Sequence, residues 1–218
     1  MDRFLDGVFC GNDSIFRYHP SFRISIKTRV GYNDTSDLPK TVEILNRYPI
    51  FEITVHPRVK KDIYAGKPRM EAFDYAVKNC KAKVVYNGDV YSAEDHDSII
   101  EKYSDSIKGI MIGRGAIADP GIFRQIRTGK RMTTDELYDF LRKLYDSYKE
   151  DYSPENALSK LKEVWSYTTM SIDDEKDRAR VLKSIIKSRN EREYFNSIMV
   201  ARQYLEKSLK QNRFSTLC

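Results

Sequence analysis

The chain has 218 residues and a net charge of +6, and apolar residues make up 40% of it. Such a composition is typical of a globular protein that can bury one large core or two smaller ones. No apolar run reaches the length of a membrane-spanning helix, and the charged start is unlike a signal peptide, so we expect a cytoplasmic protein that does not contact membranes. Cys10, Cys80 and Cys218 show neither disulfide-framework nor metal-ligand spacing, which indicates free thiols and no metal site.

The positive charge is unevenly distributed, because most of the excess of Lys and Arg lies after residue 120. A basic excess of this size suits a polyanionic partner such as RNA. The alternative interpretation is a helical surface that carries mixed charges and contacts only water.

Phe4, Leu5 and Val8 could form one side of a short helix, but the Gly, Asn, Asp and Pro residues within residues 1–20 interrupt the run, so we expect a turn or an irregular segment there. After this segment, apolar patterning predicts four strands, Phe22–Lys27, Phe51–His56, Lys83–Tyr86 and Gly109–Ile112. Helical patterns separate them at Thr35–Tyr48, around Met70–Cys80 and from Ser92 to Tyr103. The strands recur about every thirty residues, the size of a βα unit, which predicts a parallel sheet.

The loop after the fourth predicted strand reads Gly113-Arg114-Gly115, and Asp119 and Pro120 then resemble the N-cap and first residue of a helix. Glycine allows backbone N–H groups to approach an anion, a helix N-terminus adds positive potential, and Arg114 offers a charged donor fork. The pattern therefore indicates a phosphate-binding loop. An ordinary turn after a buried strand is the alternative.

The other strands also end in polar residues, at Lys27, at His56 and at Asn87-Gly88-Asp89. Parallel α/β folds place their chemistry at these carboxyl ends. Each residue has a simpler interpretation, as a strand-end lysine, a structural histidine or a turn. Because all the strand ends are polar, we interpret them together as one site.

The sequence resembles the tRNA-dihydrouridine synthases at four places that have the order and spacing of that family's motifs. These are Ser25-Ile26-Lys27-Thr28-Arg29-Val30-Gly31-Tyr32, Ile53-Thr54-Val55-His56-Pro57-Arg58, Tyr86-Asn87-Gly88-Asp89-Val90 and Ile110–Phe123. The resemblance covers residues 22–125, and Lys160–Tyr167 is similar to a segment of the family's helical domain. It implies an FMN-containing TIM barrel with a C-terminal helical domain, which reduces the uracil C5=C6 bond in tRNA with NADPH as the hydride source.

The resemblance also implies roles for individual residues. Lys27 would contact the flavin ring, where a cation stabilises the anionic reduced form, and His56 would approach the flavin from the next strand. Arg58 would face the RNA or the edge of the isoalloxazine. The FMN phosphate would be held by Asn87, Gly88, Asp89, Gly113, Arg114 and Gly115.

One part of the family pattern is missing from the chain. The first four barrel strands, and the Asn-x-x-Cys-Pro segment with the catalytic cysteine, have no counterpart, and Cys10 lies in a different context. The resemblance therefore implies the C-terminal half of a TIM-type barrel over residues 1–128 and a helical bundle over residues 129–218. We expect a truncated product or a fragment that is inactive alone. Because its strand edges are unpaired, it should self-associate, rearrange into an open sheet or be only marginally stable.

The second part of the chain is helical by pattern. Thr133 and Glu136 form a capping-box sequence, and apolar residues at helical spacing predict four helices after it. Arg178, Lys183 and Lys187 are candidate contacts to tRNA phosphates. A solvated surface is the alternative for each of them.

Three functions stay open at this point. The first is a flavin-dependent tRNA-dihydrouridine synthase, of which this chain carries the phosphate-binding half and the tRNA-binding domain. The second is a non-catalytic RNA-binding remnant of such an enzyme. The third is a flavin-free α/β protein that binds another phosphate.

Overall fold

A computed structural model describes residues 1–11, 14–19, 21–63 and 65–215. Cys218 lies outside this part of the chain, and Cys10 and Cys80 are free thiols. The chain divides into two units. The barrel unit comprises residues 1–90 and 94–112, and the helical unit comprises residues 91–93 and those from Gly113 onward.

Four strands form the sheet that the structure describes in the barrel unit. They are β1 (Ser25–Arg29), β2 (Glu52–His56), β3 (Lys83–Tyr86) and β4 (Gly109–Ile110), and they pair in parallel in the order β1-β2-β3-β4. The four-stranded parallel sheet predicted for the half barrel is therefore confirmed. The first strand begins later than predicted because Ser25 is the residue that pairs with Glu52.

The helices of the barrel unit are α1 (Asp2–Phe9), α2 (Ile15–Tyr18), α3 (Leu38–Leu45), α4 (Met70–Asn79) and α5 (Ala93–Tyr103). The expectation of an irregular start was wrong for α1, which continues through Gly7 and buries Leu5 and Phe9. Burial of this apolar helix face outweighs the cost of about 1 kcal/mol for a glycine inside a helix.

One face of the sheet packs against the helices. Ile53 and Val55 of β2 lie in the same buried cluster as Leu38, Val42 and Leu45, which is the helix face that the sequence predicted. Phe73 of α4 is fully buried in this cluster, and its ring meets the ring of Tyr86 edge-on with 4.9 Å between the ring centres. Residues that alternate with these along the strands, such as Lys27 and Thr54, therefore belong to the opposite face.

The helical unit contains α6 (Arg114–Ala118), α7 (Ile122–Thr128), α8 (Thr134–Asp151), α9 (Pro154–Thr168), α10 (Glu175–Lys187) and α11 (Glu191–Ser215). The predicted capping box is confirmed, because the Thr133 hydroxyl accepts from the Glu136 N–H and the Glu136 carboxylate accepts from the Thr133 N–H. No helix in the described part of the chain is long and apolar enough to cross a membrane.

The two units divide at Ile112, before the boundary predicted at residue 128. The reason is that α6 packs against α9 and α7, so residues 113–128 belong with the helical unit. The core of this unit is built around Trp165, whose side chain is fully buried and whose indole N–H donates to the Tyr194 hydroxyl at 2.9 Å.

Candidate functional site

Charged and polar side chains of the barrel unit come together at the carboxyl ends of β1 and β2. Lys27 pairs in register with Thr54, and Arg29 pairs with His56. Residues that are paired across neighbouring strands point to the same face of a sheet. Lys27, Arg29 and His56 therefore share the face opposite the one that packs against the helices.

Asn87, which follows β3, connects the ends of three strands. Its side-chain oxygen Oδ1 accepts a hydrogen bond from the Lys27 ammonium, and its Nδ2 donates to the Met111 carbonyl at 2.8 Å. Because both partners are fixed, the amide has one orientation, with the oxygen toward the cation. Lys27 and Asn87, which are 60 positions apart in sequence, thus form one unit of the predicted site.

The environment of the Lys27 ammonium disfavours its positive charge. Its pKa lies below the usual value because burial disfavours the charged form and because the Arg29 guanidinium is nearby. Asn87 offsets part of this cost, since its carbonyl oxygen faces the positive charge. The result is a positioned cation that gains from an anionic or electron-rich ligand.

His56 is buried, with 9% of its surface exposed, and it is surrounded by cations. Burial lowers its pKa to about 4, and Arg29, Lys27 and Arg58 act in the same direction. Its Nε2 lies 3.4 Å from Nη1 of Arg58, and because a guanidinium can only donate, this contact favours the neutral tautomer with the proton on Nδ1. At neutral pH His56 therefore adds hydrogen-bonding capacity to the site without adding charge.

Stability of the barrel unit should depend on this neutral histidine. The His56 pKa is about 4 in the folded chain against a usual 6.5, so the unfolded state binds more protons between these values. The stabilisation is complete above about pH 6.5 and is lost as the pH falls toward 4. We expect the urea midpoint of the barrel unit to fall between pH 7 and pH 5, and to fall less in His56→Gln. An equal fall in both proteins would contradict the assignment.

Arg58 occupies a different place from the one predicted. Its side chain is fully buried, its Nη1 donates to Oδ1 of Asp89 at 2.9 Å, and its Nη2 forms an ion pair with the other carboxylate oxygen. It also donates to the carbonyls of Ala65 and Gly66. The predicted contact of Arg58 with RNA is therefore corrected: this guanidinium is enclosed by its own loop and has only 1% of its surface exposed.

Asp89 and Gly88 have structural roles that the sequence pattern did not reveal. The Asp89 carboxylate is the partner of Arg58, and it joins the loop after β2 to the loop after β3. Gly88 is required because a Cβ at this position would overlap the hydroxyl of Tyr86. A binding role for the backbone around these residues stays a prediction.

Arg29 is a residue of this site that the sequence reasoning did not select. Its two terminal nitrogens donate to the carbonyls of Val59 and Ile63, each at 2.8 Å, and so hold the loop after β2. It also lowers the pKa of both Lys27 and His56. Its position two residues after Lys27 on the same strand was the available signal, since such residues share a face.

The Gly113-Arg114-Gly115 segment lies in the helical unit and is not the tight loop that was predicted. Gly113 is the N-cap of α6, and Arg114 and Gly115 are already helical. The Arg114 guanidinium lies 5.8 Å from the ring centre of Tyr91. Asp119 does not cap a helix that starts at Pro120; its Oδ1 accepts from the Gly121 N–H at 2.8 Å in a turn between α6 and α7.

The three candidate cations of the helical unit differ from one another. The Arg178 guanidinium donates twice to the Ile172 carbonyl, at 3.0 and 2.9 Å, and thus fastens α10 to the preceding turn. Lys183 and Lys187 are exposed one helical turn apart on α10. In the described residues neither lysine forms an ion pair, so these two are the better candidates for phosphate contacts.

Comparisons with known proteins identify the family of the chain. The family model for dihydrouridine synthase matches residues 17–214. A probable tRNA-dihydrouridine synthase of Rickettsia bellii is 29% identical over 141 residues, which are 62% of this chain and 43% of the relative. The tRNA-dihydrouridine synthase B of Shewanella oneidensis is 29% identical over 139 residues, with coverages of 58% and 42%.

The chain spans about two fifths of the length of these curated relatives. The family model, in contrast, extends over nearly all of the chain and includes both units. The half barrel with polar carboxyl ends and the helical unit after it are also the parts that this family combines. The chain therefore belongs to the dihydrouridine synthase family.

Proposed function

We propose that this chain supplies FMN-binding and tRNA-binding parts of a flavin-dependent tRNA-dihydrouridine synthase. The observation that carries the proposal is the positioned cation at the sheet edge, where Asn87 holds the Lys27 ammonium beside a neutral His56. The curated relatives named tRNA-dihydrouridine synthase support the same reaction.

The residues present fit a flavin on chemical grounds. The reduced isoalloxazine is anionic, and a fixed ammonium stabilises negative charge most effectively where little water surrounds it. Asn87 orients the Lys27 ammonium, and because Lys27 is exposed in the structure, the flavin ring itself would exclude water from this charge. Bound FMN would supply the hydride for the uracil C5=C6 bond, with NADPH as its reductant.

The other residues have separate tasks in this proposal. His56 can donate from Nδ1 to a polar edge of the ring without bringing a second charge. Arg29 holds the loop after β2 and keeps the site positive. Arg114 presents a guanidinium suited to bidentate phosphate binding, and the exposed Gly113 leaves the backbone beside it accessible, whereas Gly115 is buried.

The first test is flavin binding. Lys27→Ala and Arg114→Ala each remove a charge-assisted contact worth about 1.5–3 kcal/mol, so we expect FMN to bind at least tenfold more weakly to each variant. Titration of FMN fluorescence measures the affinity. The matched controls are Lys40→Ala and Arg127→Ala, which remove exposed cations elsewhere in each unit. Unchanged FMN affinity in both site variants would rule out the assignment.

A second candidate function is RNA binding without reduction, and the two exposed lysines of α10 favour it. Each phosphate that a lysine neutralises contributes about 0.7–0.9 to the slope of log affinity against log salt. We expect Lys183→Glu with Lys187→Glu to weaken tRNA binding and to reduce this slope by about 1–2. Filter binding at increasing salt concentrations provides the measurement.

The control for this experiment is Lys78→Glu with Lys81→Glu, which changes the net charge equally at exposed positions of the barrel unit. If both double variants behave alike, only overall charge matters and the α10 surface has no special role. If tRNA binds and no flavin does, the second candidate function replaces the first.

A further inference from the structure

The helical unit contains a cavity that neither the flavin nor the tRNA proposal uses. Its volume is about 350 Å³, within the range of small-molecule sites. Met132, Leu137, Met170 and Leu205 give it an apolar lining. Polar groups also line it, among them Gln125 and Asp119, so the cavity is amphipathic.

Gln125 is the most informative residue of this lining. Only 9% of its surface is exposed, and its backbone N–H and carbonyl are used by Gly121 and Gly129. Within the part of the chain that the structure describes, its side-chain amide makes no hydrogen bond. Because the amide atoms are accessible from the cavity, a ligand bound there can supply both an acceptor and a donor for them.

Asp119 adds a carboxyl group to the same cavity. Its Oδ1 accepts from the Gly121 N–H at 2.8 Å, and a carboxylate has about four acceptor sites, so further acceptor capacity remains. Burial raises the pKa of this carboxyl, whereas the Gly121 bond and the charges of Arg131 and Arg124 oppose the rise. A ligand with N–H donors would compensate for the desolvation of this group.

We propose that this cavity binds a guanine ring. Guanine places two N–H donors, on N1 and on the exocyclic N2, side by side next to the acceptor O6. The Asp119 carboxylate can accept from both donors, and the Gln125 amide can donate to O6. Adenine, cytosine and uracil offer no such pair of adjacent donors. The two methionines suit the flat faces of the ring, because thioethers pack well against aromatic systems.

The guanine ring has two sources that share this chemistry, a free nucleoside and an unpaired base of an RNA strand. The comparison between guanosine and inosine tests the ring recognition itself, since inosine lacks only the exocyclic amine. A site built around hydrogen bonds rejects an analogue that leaves its polar groups unpaired. The comparison between guanosine and a single-stranded RNA with one guanine distinguishes the sources.

Calorimetric titration of the full chain provides the test. We expect saturable binding of guanosine, and binding of inosine that is at least tenfold weaker. Gln125→Leu, which removes the amide, and Asp119→Asn, which keeps the acceptor for Gly121 but replaces the other oxygen with a donor, should each weaken guanosine binding at least tenfold. Gln203→Leu, the same change at an exposed position of α11, should have no effect.

The titrations distinguish a free nucleoside from an RNA base as the ligand, and they can also overturn the proposal. Tighter binding of guanosine than of the oligonucleotide supports a free nucleoside, and the reverse order supports an RNA base. The proposal is overturned if neither binds the folded chain at millimolar concentration, or if guanosine and inosine bind equally. The second criterion uses only the parent chain, so it decides the matter even where a variant unfolds. None of these measurements depends on flavin binding or on reduction of uridine.

Discussion

Replacing Asp89 with Ala is expected to lower the free energy of unfolding of the barrel unit by about 3 kcal/mol. The change leaves the Arg58 guanidinium buried, with 2% of its side chain exposed, and removes the Asp89 carboxylate that pairs with it. This loss is at the lower end of the range for a broken buried ion pair, because 31% of the Asp89 side chain is exposed. The carbonyls of Ala65 and Gly66 also continue to accept hydrogen bonds from Arg58.

Hydrogen exchange of peptides from β1, β2 and β3 measures this loss in the barrel unit separately from the helical unit. Asp105→Ala is the matched control, since Asp105 is exposed, and its effect should stay within about 0.5 kcal/mol. Arg58→Met combined with Asp89→Ala should recover part of the loss, because no buried charge is then left alone. Equal protection in Asp89→Ala and the parent chain would show that the pair does not stabilise the fold.

The sequence predicted those features of the fold that depend on local patterns. Leu38, Val42 and Leu45 repeat at helical spacing, and this spacing alone identifies the buried face of α3. Thr133 and Glu136 identify the start of α8 because both halves of a capping box lie within four residues. The parallel order of the strands followed from the regular recurrence of strands and helices.

The partners within the candidate site could not be predicted in the same way. Lys27 and Asn87 are 60 positions apart, and Arg58 and Asp89 are 31 apart. The sequence indicated that strand ends meet, but the register and the loop conformations decide which side chains touch. Arg58 was therefore interpreted as a surface contact, although its loop folds over it and buries it.

The error at Gly113-Arg114-Gly115 has a local cause. Two glycines around an arginine favour a loop on propensity alone. In the structure Gly113 serves as an N-cap and the helix begins at once, since the next residues pack against α9 and bury Gly115 and Ala118. Tertiary packing thus outweighs the weak preference of glycine for a loop.

The helical unit should depend most strongly on Trp165. Its side chain is fully buried among Leu161, Ile185 and other residues of the core, so Trp165→Ala removes a large apolar group and leaves a cavity. The change also removes the donor to the Tyr194 hydroxyl, which is itself buried. We expect a loss of about 3–5 kcal/mol in the free energy of unfolding of this unit.

Trp165→Phe keeps most of the apolar volume and removes the hydrogen bond, so it should cost about 1–2 kcal/mol. Met199→Ala, at a position that is 60% exposed, is the control and should change stability by less than about 0.5 kcal/mol. Hydrogen exchange of α8 to α11 is the measurement, since Trp165 is the single tryptophan and its fluorescence is lost in both variants.

Under the proposed RNA-binding function, this loss should extend to RNA affinity, because Lys183 and Lys187 lie on the helix whose Val181 and Ile185 share the core with Trp165. A destabilised core lets α10 open, and the two lysines then lose their fixed spacing. We therefore expect Trp165→Ala to reduce exchange protection in α10 and tRNA affinity together, while protection of β2 and β3 is retained. Full protection of α10 in this variant would show that the helix is held by other contacts and would contradict the assigned core.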